Sequence, residues 1–158
     1  MGNYTLKNHT VKPYKSVDLL PKKDQLAYKL AVLASTPQSM SKEVEDMIIN
    51  RIIDNASVAV ASLNRQTVIH AREQALTHSR HQRGATVFGM PNDFLVHAEW
   101  AAWVNGTAVR ELDYHDTFLA ADYSHPGDNI PPILAVAQQL GKSGKEILNA
   151  LAVAYEVH

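Results

Sequence analysis

The sequence has no cysteine among its 158 residues. This absence excludes disulfides, thiolate zinc sites, cysteine-ligated iron–sulfur clusters and a cysteine nucleophile within the chain. The N-terminal segment lacks an apolar stretch of signal-peptide length, and no later segment is continuous and apolar enough to span a bilayer. We therefore expect a cytoplasmic protein with no membrane partner.

The sequence also lacks an excess of either charge. Fifteen basic and sixteen acidic residues leave a formal net charge of −1, and there is no basic stripe of the kind that binds nucleic acid. The motifs G-x-S-x-G, G-x-G-x-x-G and G-x-x-x-x-G-K-[ST] are missing as well, so a nucleophile elbow, a dinucleotide loop and a phosphate loop have no support. A composition that is 46% hydrophobic and 20% charged is ordinary for one globular domain.

Apolar periodicity predicts a mainly helical, all-α chain with one short β segment at 85–89. An extended N-terminal arm is predicted over 1–20. The predicted helices cover residues 22–34, 42–63, 66–75, 93–112, 130–140 and 144 to the chain end. Because the last helical pattern reaches His158 without a stop signal, we expect a fragment of a longer protein.

Local signals refine several helix ends and faces. Ser143 and Glu146 have the spacing of a capping box, and Asn92 is the predicted N-cap of the fourth helix. Met47, Ile48, Ile52, Ile53, Val58, Val60 and Ala61 are predicted to form the apolar face of the second helix. Small residues at 56–62 predict that another helix packs closely there. Gly106 inside a helix predicts a close approach to its backbone.

Between the fourth and fifth helices lies a stretch rich in ionisable groups, ELDYHDTFLAADYSHPGDNIPP at 111–132. If the fourth helix continues through Asp113, then Asp113, Asp116 and Thr117 share one helix face. His125 follows after a short loop, so a carboxylate, a hydroxyl and an imidazole could meet in one pocket. Carboxylate and imidazole are the groups that transfer protons near neutral pH.

Two other interpretations fit the same stretch. Aspartates before turns often cap their own backbone, so the segment could be a structural loop, a role that we assign to Asp122 and Asp128. Asp113, His115, Asp116 and His125 could instead bind zinc, manganese or iron, but their spacing is not diagnostic and we predict no metal. His70, His78 and His81 lie beside several arginines and are interpreted as an exposed polar helix end. His97 is interpreted as an ordinary histidine with satisfied hydrogen bonds.

Five segments, taken in order, resemble the MmgE/PrpD family. They read ATVFG at 85–89, WVNGTA at 103–108, LDYHDT at 112–117, SHPGD at 124–128 and AYEV at 154–157. The resemblance covers the chain from about residue 22 to its end. It implies the N-terminal part of a large helical domain over 21–158, with a smaller α+β lid domain outside this chain and a homodimer at full length.

The resemblance implies a hydro-lyase that needs no cofactor. Its reaction would be the elimination of water from 2-methylcitrate to give 2-methyl-cis-aconitate, a step of the methylcitrate cycle in propionate catabolism. Carried over by motif, the catalytic residues are Asp113 and His125, and Thr117 binds the tricarboxylate substrate. His115, Asp116 and Arg110 are supporting candidates, and His115 stands where an aspartate or another small polar residue is common in the family.

One arginine is too few for a tricarboxylate, so we expect further cationic groups beyond His158 and an inactive fragment. Other activities within the family also fit the motifs, namely decarboxylation of cis-aconitate and epimerisation of iminodisuccinate. From other classes, a non-catalytic helical interaction module and a metallohydrolase stay open.

Overall fold

A computed structural model describes residues 13–36 and 39–158, and this part of the chain is mainly helical. The helices are α1 Leu26–Ser35, α2 Lys42–Ser62, α3 Gln66–Leu76, α4 Ala98–Arg110, α5 Ile130–Leu140 and α6 Gly144–Val157. The strands are β1 Ala85–Thr86, β2 Leu95–Val96, β3 Phe118–Leu119 and β4 Tyr123–Ser124, which form two antiparallel pairs. The predicted helical fold is confirmed. Within the described residues, no helix is both long and apolar enough to cross a bilayer.

Helix α4 lies at the centre of the fold and packs against α2, α3 and α5. Its Ala101 and Val104 are buried, and the β1–β2 pair adds Ala85 and Val96 to the same core, while its Ala108 is buried in a neighbouring cluster. Because alanine and valine are small, the neighbouring helices approach the α4 backbone closely. This packing fixes the end of α4, from which the ionisable stretch begins.

The small-residue end of α2 packs against α4, as predicted. Ala59 and Ser62 are fully buried, and Ser62 Oγ donates a hydrogen bond of 2.6 Å to the carbonyl oxygen of Ala108. The predicted apolar face of this helix is partly wrong, because Met47, Ile53 and Val60 are exposed. These three residues lie on the side of α2 that faces solvent, and the opposite side of the helix is buried.

Helices α5 and α6 complete a second core with the first half of α2. Ile48, Ile130 and Leu151, one from each helix, form its buried centre. Gly141 ends α5 in the left-handed region with φ 64°, which glycine adopts without steric cost. Ser143 and Glu146 form the predicted capping box, because each side chain accepts a hydrogen bond from the other residue's backbone N–H.

The predicted start of the fourth helix at Asp93 is wrong. Residues Leu95 and Val96 instead form β2, which pairs with β1, and α4 begins only after His97. The side chain of Asn105 supports this arrangement because its Oδ1 accepts from Phe88 N at 2.9 Å and its Nδ2 donates to Thr86 O at 3.0 Å. A pairing across this distance in sequence overrides the local helical pattern.

The close approach predicted at Gly106 is also wrong. Apart from its chain neighbours and the backbone of its own helix, nothing among the described residues lies within 4 Å of the position that a Cβ would occupy there. The predicted arm over 1–20 falls partly outside the described residues, and 13–20 contain neither helix nor strand.

Candidate active site

The ionisable stretch begins with a tight turn rather than with more helix. Helix α4 ends at Arg110, and the N–H of Asp113 donates to the carbonyl oxygen of Arg110 at 2.9 Å. Asp113 has φ 47°, in the left-handed region that aspartate tolerates better than most residues. The prediction that Asp113, Asp116 and Thr117 share one helix face is therefore wrong.

A short hairpin that was not predicted joins the two halves of the stretch. Strands β3 and β4 pair in antiparallel register, with Phe118 opposite Ser124. The hairpin returns the chain to its starting point, so Thr117 Oγ1 lies 3.4 Å from His125 Nδ1. The predicted meeting of this hydroxyl and this imidazole is thus present, although a hairpin and not a helix face produces it.

Asp113, His115 and His125 converge at the same point. Each offers one nitrogen or oxygen atom, and these atoms all lie within 4.8 Å of one another. The side chain of Asp113 is 72% exposed, whereas that of His115 is completely buried and His125 lies between these extremes. The cluster is therefore open to a ligand on the Asp113 side and closed on the His115 side.

His115 forms the buried side of this cluster. Its Nε2 lies 2.9 Å from Asp128 Oδ1, and its ring lies against the His125 ring with centroids 4.9 Å apart and planes 32° apart. Its Nδ1 is buried and has no hydrogen-bond partner among the described residues. An unpaired buried nitrogen costs about 1–3 kcal/mol, so this position is not optimised for stability.

Arg110 is the basic residue that contacts this cluster from the end of α4. Its guanidinium nitrogens lie 3.6 Å from Asp113 Oδ1, 3.8 Å from Asp128 Oδ2 and 3.4 Å from His115 Nε2. At 44% side-chain exposure, these ion pairs add little stability. Their effect is to place a positive charge where a carboxylate ligand would bind.

The same donors bear on the metal question. One carboxylate and two imidazoles can hold zinc, manganese or iron, and Asp113, His115 and His125 supply that set. The guanidinium of Arg110 already contacts two of the three, so a divalent cation would meet like charge. We therefore maintain the prediction that this site works without metal.

Asp116 does not belong to the cluster in which it was predicted. Its side chain is 6% exposed and faces the other side of the loop. There it accepts a hydrogen bond from Tyr155 Oη at 2.9 Å, and Arg51 Nε lies 4.0 Å away. Burial and this hydrogen bond raise the pKa of Tyr155, so its hydroxyl remains a donor at neutral pH.

Four residues around the site were not predicted as parts of it. Asn55, Arg51, Tyr155 and Asp128 contact Gly127, Asp116 or His115. Asn55 had a readable signal, because it lies three to four residues from apolar positions on the buried face of α2. Arg51 and Tyr155 come close to the site only through the tertiary fold, whereas Asp128 lies within the ionisable stretch itself. Asp122 shapes the loop as predicted, since its Oδ1 accepts from Tyr123 N at 2.9 Å.

His78, His81 and His97 are not members of the cluster. His78 stacks on Trp100 with centroids 3.7 Å apart, so it is not the simple exposed group that we predicted. His97 Nδ1 lies 3.1 Å from Arg80 Nη1, which agrees with the interpretation of a satisfied histidine. His81 is exposed, as predicted.

An apolar groove between α5 and α6 also lies apart from the cluster. Val136, Leu140 and Ile147 line it. Its ionisable residues, Lys142 and Glu146, form an ion pair with each other at 2.9 Å. The described residues that line this groove include no histidine or aspartate, so the loop cluster is the candidate site.

Comparison with known families tests the resemblance that the five motifs indicate. The family model described as the MmgE/PrpD N-terminal domain matches residues 25–158, which is most of the chain. The chain belongs to the MmgE/PrpD family. The family resemblance of the five motifs is thereby confirmed, and the motif residues at 112–117 and 124–128 fall within the matched region.

Individual relatives carry two kinds of name. A probable 2-methylcitrate dehydratase of Saccharomyces cerevisiae is 42% identical over 69 residues, covering 35% of this chain and 13% of that protein. The 2-methylcitrate dehydratase of Cupriavidus necator is 26% identical over 147 residues, covering 87% of this chain and 30% of that protein. A cis-aconitate decarboxylase of Mus musculus is 30% identical over 142 residues, covering 80% of this chain and 28% of that protein. The chain thus spans less than a third of the length of these relatives.

Proposed function

We propose that the chain provides the N-terminal half of the active site of a 2-methylcitrate dehydratase. The observation that carries this proposal is the convergence of Asp113 and His125, whose polar atoms lie within 4.8 Å of each other and of His115. Membership of the MmgE/PrpD family and the similarity to proteins with that name support it. A carboxylate and an imidazole side by side are suited to paired proton transfer.

The proposed reaction is an elimination that needs both groups. One of Asp113 and His125 removes the proton from the carbon next to a substrate carboxylate. The electrons of that C–H bond form the C=C bond, and the C–O bond of the neighbouring carbon breaks. The other group gives a proton to the departing hydroxyl, which leaves as water. Thr117, exposed at the mouth of the site, donates a hydrogen bond to a substrate carboxylate.

The substrate carries three carboxylates, and the cluster offers Arg110 as its contacting cation. We therefore propose that further cationic side chains come from sequence beyond His158, and that the 158-residue chain alone does not turn over substrate. The resemblance also favours a homodimer for the full-length polypeptide, which sedimentation analysis would test.

A substrate panel tests the proposal on the full-length polypeptide. Incubation with 2-methylcitrate should produce alkene absorbance without release of carbon dioxide, and citrate serves as the comparison substrate. Activity should survive dialysis against a chelator, because no step uses a metal. A preparation that binds stoichiometric metal and loses activity with the chelator would favour a metallohydrolase instead.

Decarboxylation of cis-aconitate is the second candidate, since the mouse relative with that name matches 80% of the chain. It would deliver a proton to the alkene and release carbon dioxide. Supplying cis-aconitate to the same polypeptide and measuring carbon dioxide separates the two activities.

A non-catalytic interaction module makes a different prediction. A ligand that binds only the folded state raises the melting temperature, by an amount that grows with the logarithm of its concentration once that concentration exceeds Kd. Millimolar tricarboxylate should therefore stabilise the full-length polypeptide if the cluster is a substrate site. An unchanged melting temperature together with no turnover of the three substrates would favour the module.

A further inference from the structure

Two of the family-like motifs meet inside the fold at Asp116 and Tyr155. The carboxylate of Asp116 is 6% exposed, and its short contact is the hydrogen bond of 2.9 Å from Tyr155 Oη. Arg51 Nε is 4.0 Å away, at the limit of an ion pair. A buried carboxylate is costly unless it is well compensated. Stability alone therefore does not account for an aspartate at this position.

The carboxylate lies directly against the backbone of Gly127. A Cβ placed on Gly127 would overlap Asp116 Oδ1, and it would also come within 3.2 Å of Asn55 Nδ2. Asn55 in turn donates a hydrogen bond of 3.0 Å to the carbonyl oxygen of Gly127. Gly127 is thus held between a side chain of the loop and a side chain of α2.

Holding Gly127 also fixes the residue that bears the proposed chemistry. Gly127 lies two residues after His125, in the 3-10 turn Pro126–Asn129, and the N–H of Asp128 donates to the carbonyl oxygen of His125 at 3.0 Å. On the other side, Asp116 is followed by Thr117, which contacts the His125 ring. Asp116 therefore connects the segment that carries Asp113 to the segment that carries His125.

We propose that Asp116, anchored by Tyr155, is a positioning residue that seats Gly127 and so sets the imidazole of His125 against Asp113. The carboxylate does not itself exchange a proton with substrate, since it lies on the buried side of the loop. The inference deepens the proposed function, because the catalytic consequence of this seating rests on His125 taking part in the elimination. The placement of Gly127 by Asp116 involves only residues of this chain.

The first test measures the position of His125 without any activity. In the 158-residue chain, Tyr155→Phe removes one hydroxyl and keeps the ring, and Asp116→Asn keeps the size and an acceptor oxygen. Tyr28→Phe on α1 and Asp46→Asn on α2 are the matched controls. The readouts are the imidazole NMR signals of His125 and the hydrogen-exchange rate of the Asp128 amide, which reports the turn after His125.

We expect Tyr155→Phe to shift the His125 signals and to raise exchange of the Asp128 amide roughly tenfold, since local opening becomes easier. Asp116→Asn should give a smaller change, and both controls should give none. Unchanged His125 signals and unchanged exchange in a folded Tyr155→Phe protein would overturn the proposal. If Tyr155→Phe does not fold, Asp116→Asn decides, because a change confined to residues 125–128 supports the seating and no change contradicts it.

The second test uses the full-length polypeptide and its kinetics. For a positioning residue, Asp116→Ala should lower kcat on the order of 10- to 100-fold with little change in KM, while Asp116→Asn restores most of the activity. The pH profile should keep both of its limbs in Asp116→Asn. Loss of one limb with loss of activity would instead make Asp116 a proton-transfer group and would overturn the proposal. An inactive wild-type polypeptide would contradict the proposed function, while the NMR test still decides the seating of His125.

Discussion

The imidazole of His115 is completely buried, and its Nε2 lies 2.9 Å from an oxygen of Asp128, a residue whose side chain is 43% exposed. The Asp128 carboxylate accepts a hydrogen bond from Nε2–H, which fixes the orientation of the ring against which the His125 ring lies. This pair explains how a histidine fits under the cluster although its Nδ1 has no partner among the described residues.

Breaking the contact between His115 and Asp128 should destabilise the buried side of the site. We predict that Asp128→Ala lowers the free energy of unfolding by about 1 kcal/mol, the usual net worth of a hydrogen bond. In a double-mutant cycle with His115→Asn, the two losses should be less than additive because both variants remove the same contact. Asp122→Ala is the control on the same loop. Strict additivity in urea denaturation would contradict the pairing.

Catalysis should depend on both proposed proton-transfer groups. In the full-length polypeptide, Asp113→Asn and His125→Ala should each lower the rate of dehydration by at least about 100-fold, the usual contribution of general acid–base catalysis. Circular dichroism should show an unchanged fold, because the Asp113 side chain is 72% exposed. Turnover close to wild type in either variant would remove that residue from the mechanism.

The capping box of α6 should make stability depend on pH in the acid range. Backbone and side-chain hydrogen bonds from Ser143 and one from Lys142 lower the pKa of Glu146 from 4.5 to about 2. The folded state therefore binds this proton less readily than the unfolded state does. Its stabilising effect is complete above pH 4.5 and is lost as the pH falls towards 2.

This dependence can be isolated by substitution. Glu146→Gln should flatten the change in unfolding free energy between pH 4.5 and pH 2. Ser143→Ala should cost about 1 kcal/mol at neutral pH through loss of the N-cap and should weaken the acid sensitivity as well. An identical slope in wild type and Glu146→Gln would contradict the assignment.

Asn105 should be a stabilising residue of the fold rather than a ligand of the site. Its amide satisfies Phe88 N and Thr86 O, and the residue is 3% exposed. Asn105→Ala leaves both backbone groups without this partner, so we predict a loss of about 2–4 kcal/mol in unfolding free energy. Asn50→Ala, at an exposed position of α2, is the control and should change stability by less than about 0.5 kcal/mol. Equal effects in the two variants would sink this explanation.

Two glycines should respond to alanine in opposite directions. At Gly127 the new methyl group would overlap the Asp116 carboxylate, so we predict destabilisation by about 1–3 kcal/mol. At Gly106 the described residues leave the space open, and alanine should stabilise α4 by about 0.5–1 kcal/mol. Thermal denaturation of both variants checks the pair. A Gly127→Ala protein as stable as wild type would show that the loop shifts to accept the methyl group and that Asp116 does not hold Gly127 rigidly in place.

Helix positions were predictable where the signal is local. The capping box at Ser143 and the left-handed glycine at Gly141 involve neighbours in sequence, and both ends lie where predicted. The start of α4 was not predictable in this way. Residues 93–97 have helical periodicity, but β2 gains its hydrogen bonds from β1, about ten residues away. Local propensity cannot register such a pairing.

The same distinction between local and long-range contacts applies to the candidate site. Asp113, Thr117 and His125 were proposed from motifs, and the structure brings Thr117 and His125 together through a hairpin that has no strong turn signal. The contact between Asp116 and Tyr155 was not predictable, because 39 residues separate them and the contact exists only once α6 has packed on the loop. Sequence spacing placed Asp116 on the wrong side of its own segment.

The overlap between the Asp116 carboxylate and any Cβ at position 127 has a consequence for protein design. The residue at position 116 therefore determines which residues position 127 can accept. A library that varies position 127 while it keeps aspartate at 116 would require that carboxylate to shift for every residue that carries a Cβ. A shorter side chain at 116 would open space for alanine or serine at 127, at the expense of the hydrogen bond from Tyr155. Any redesign of this loop should therefore change the two positions together.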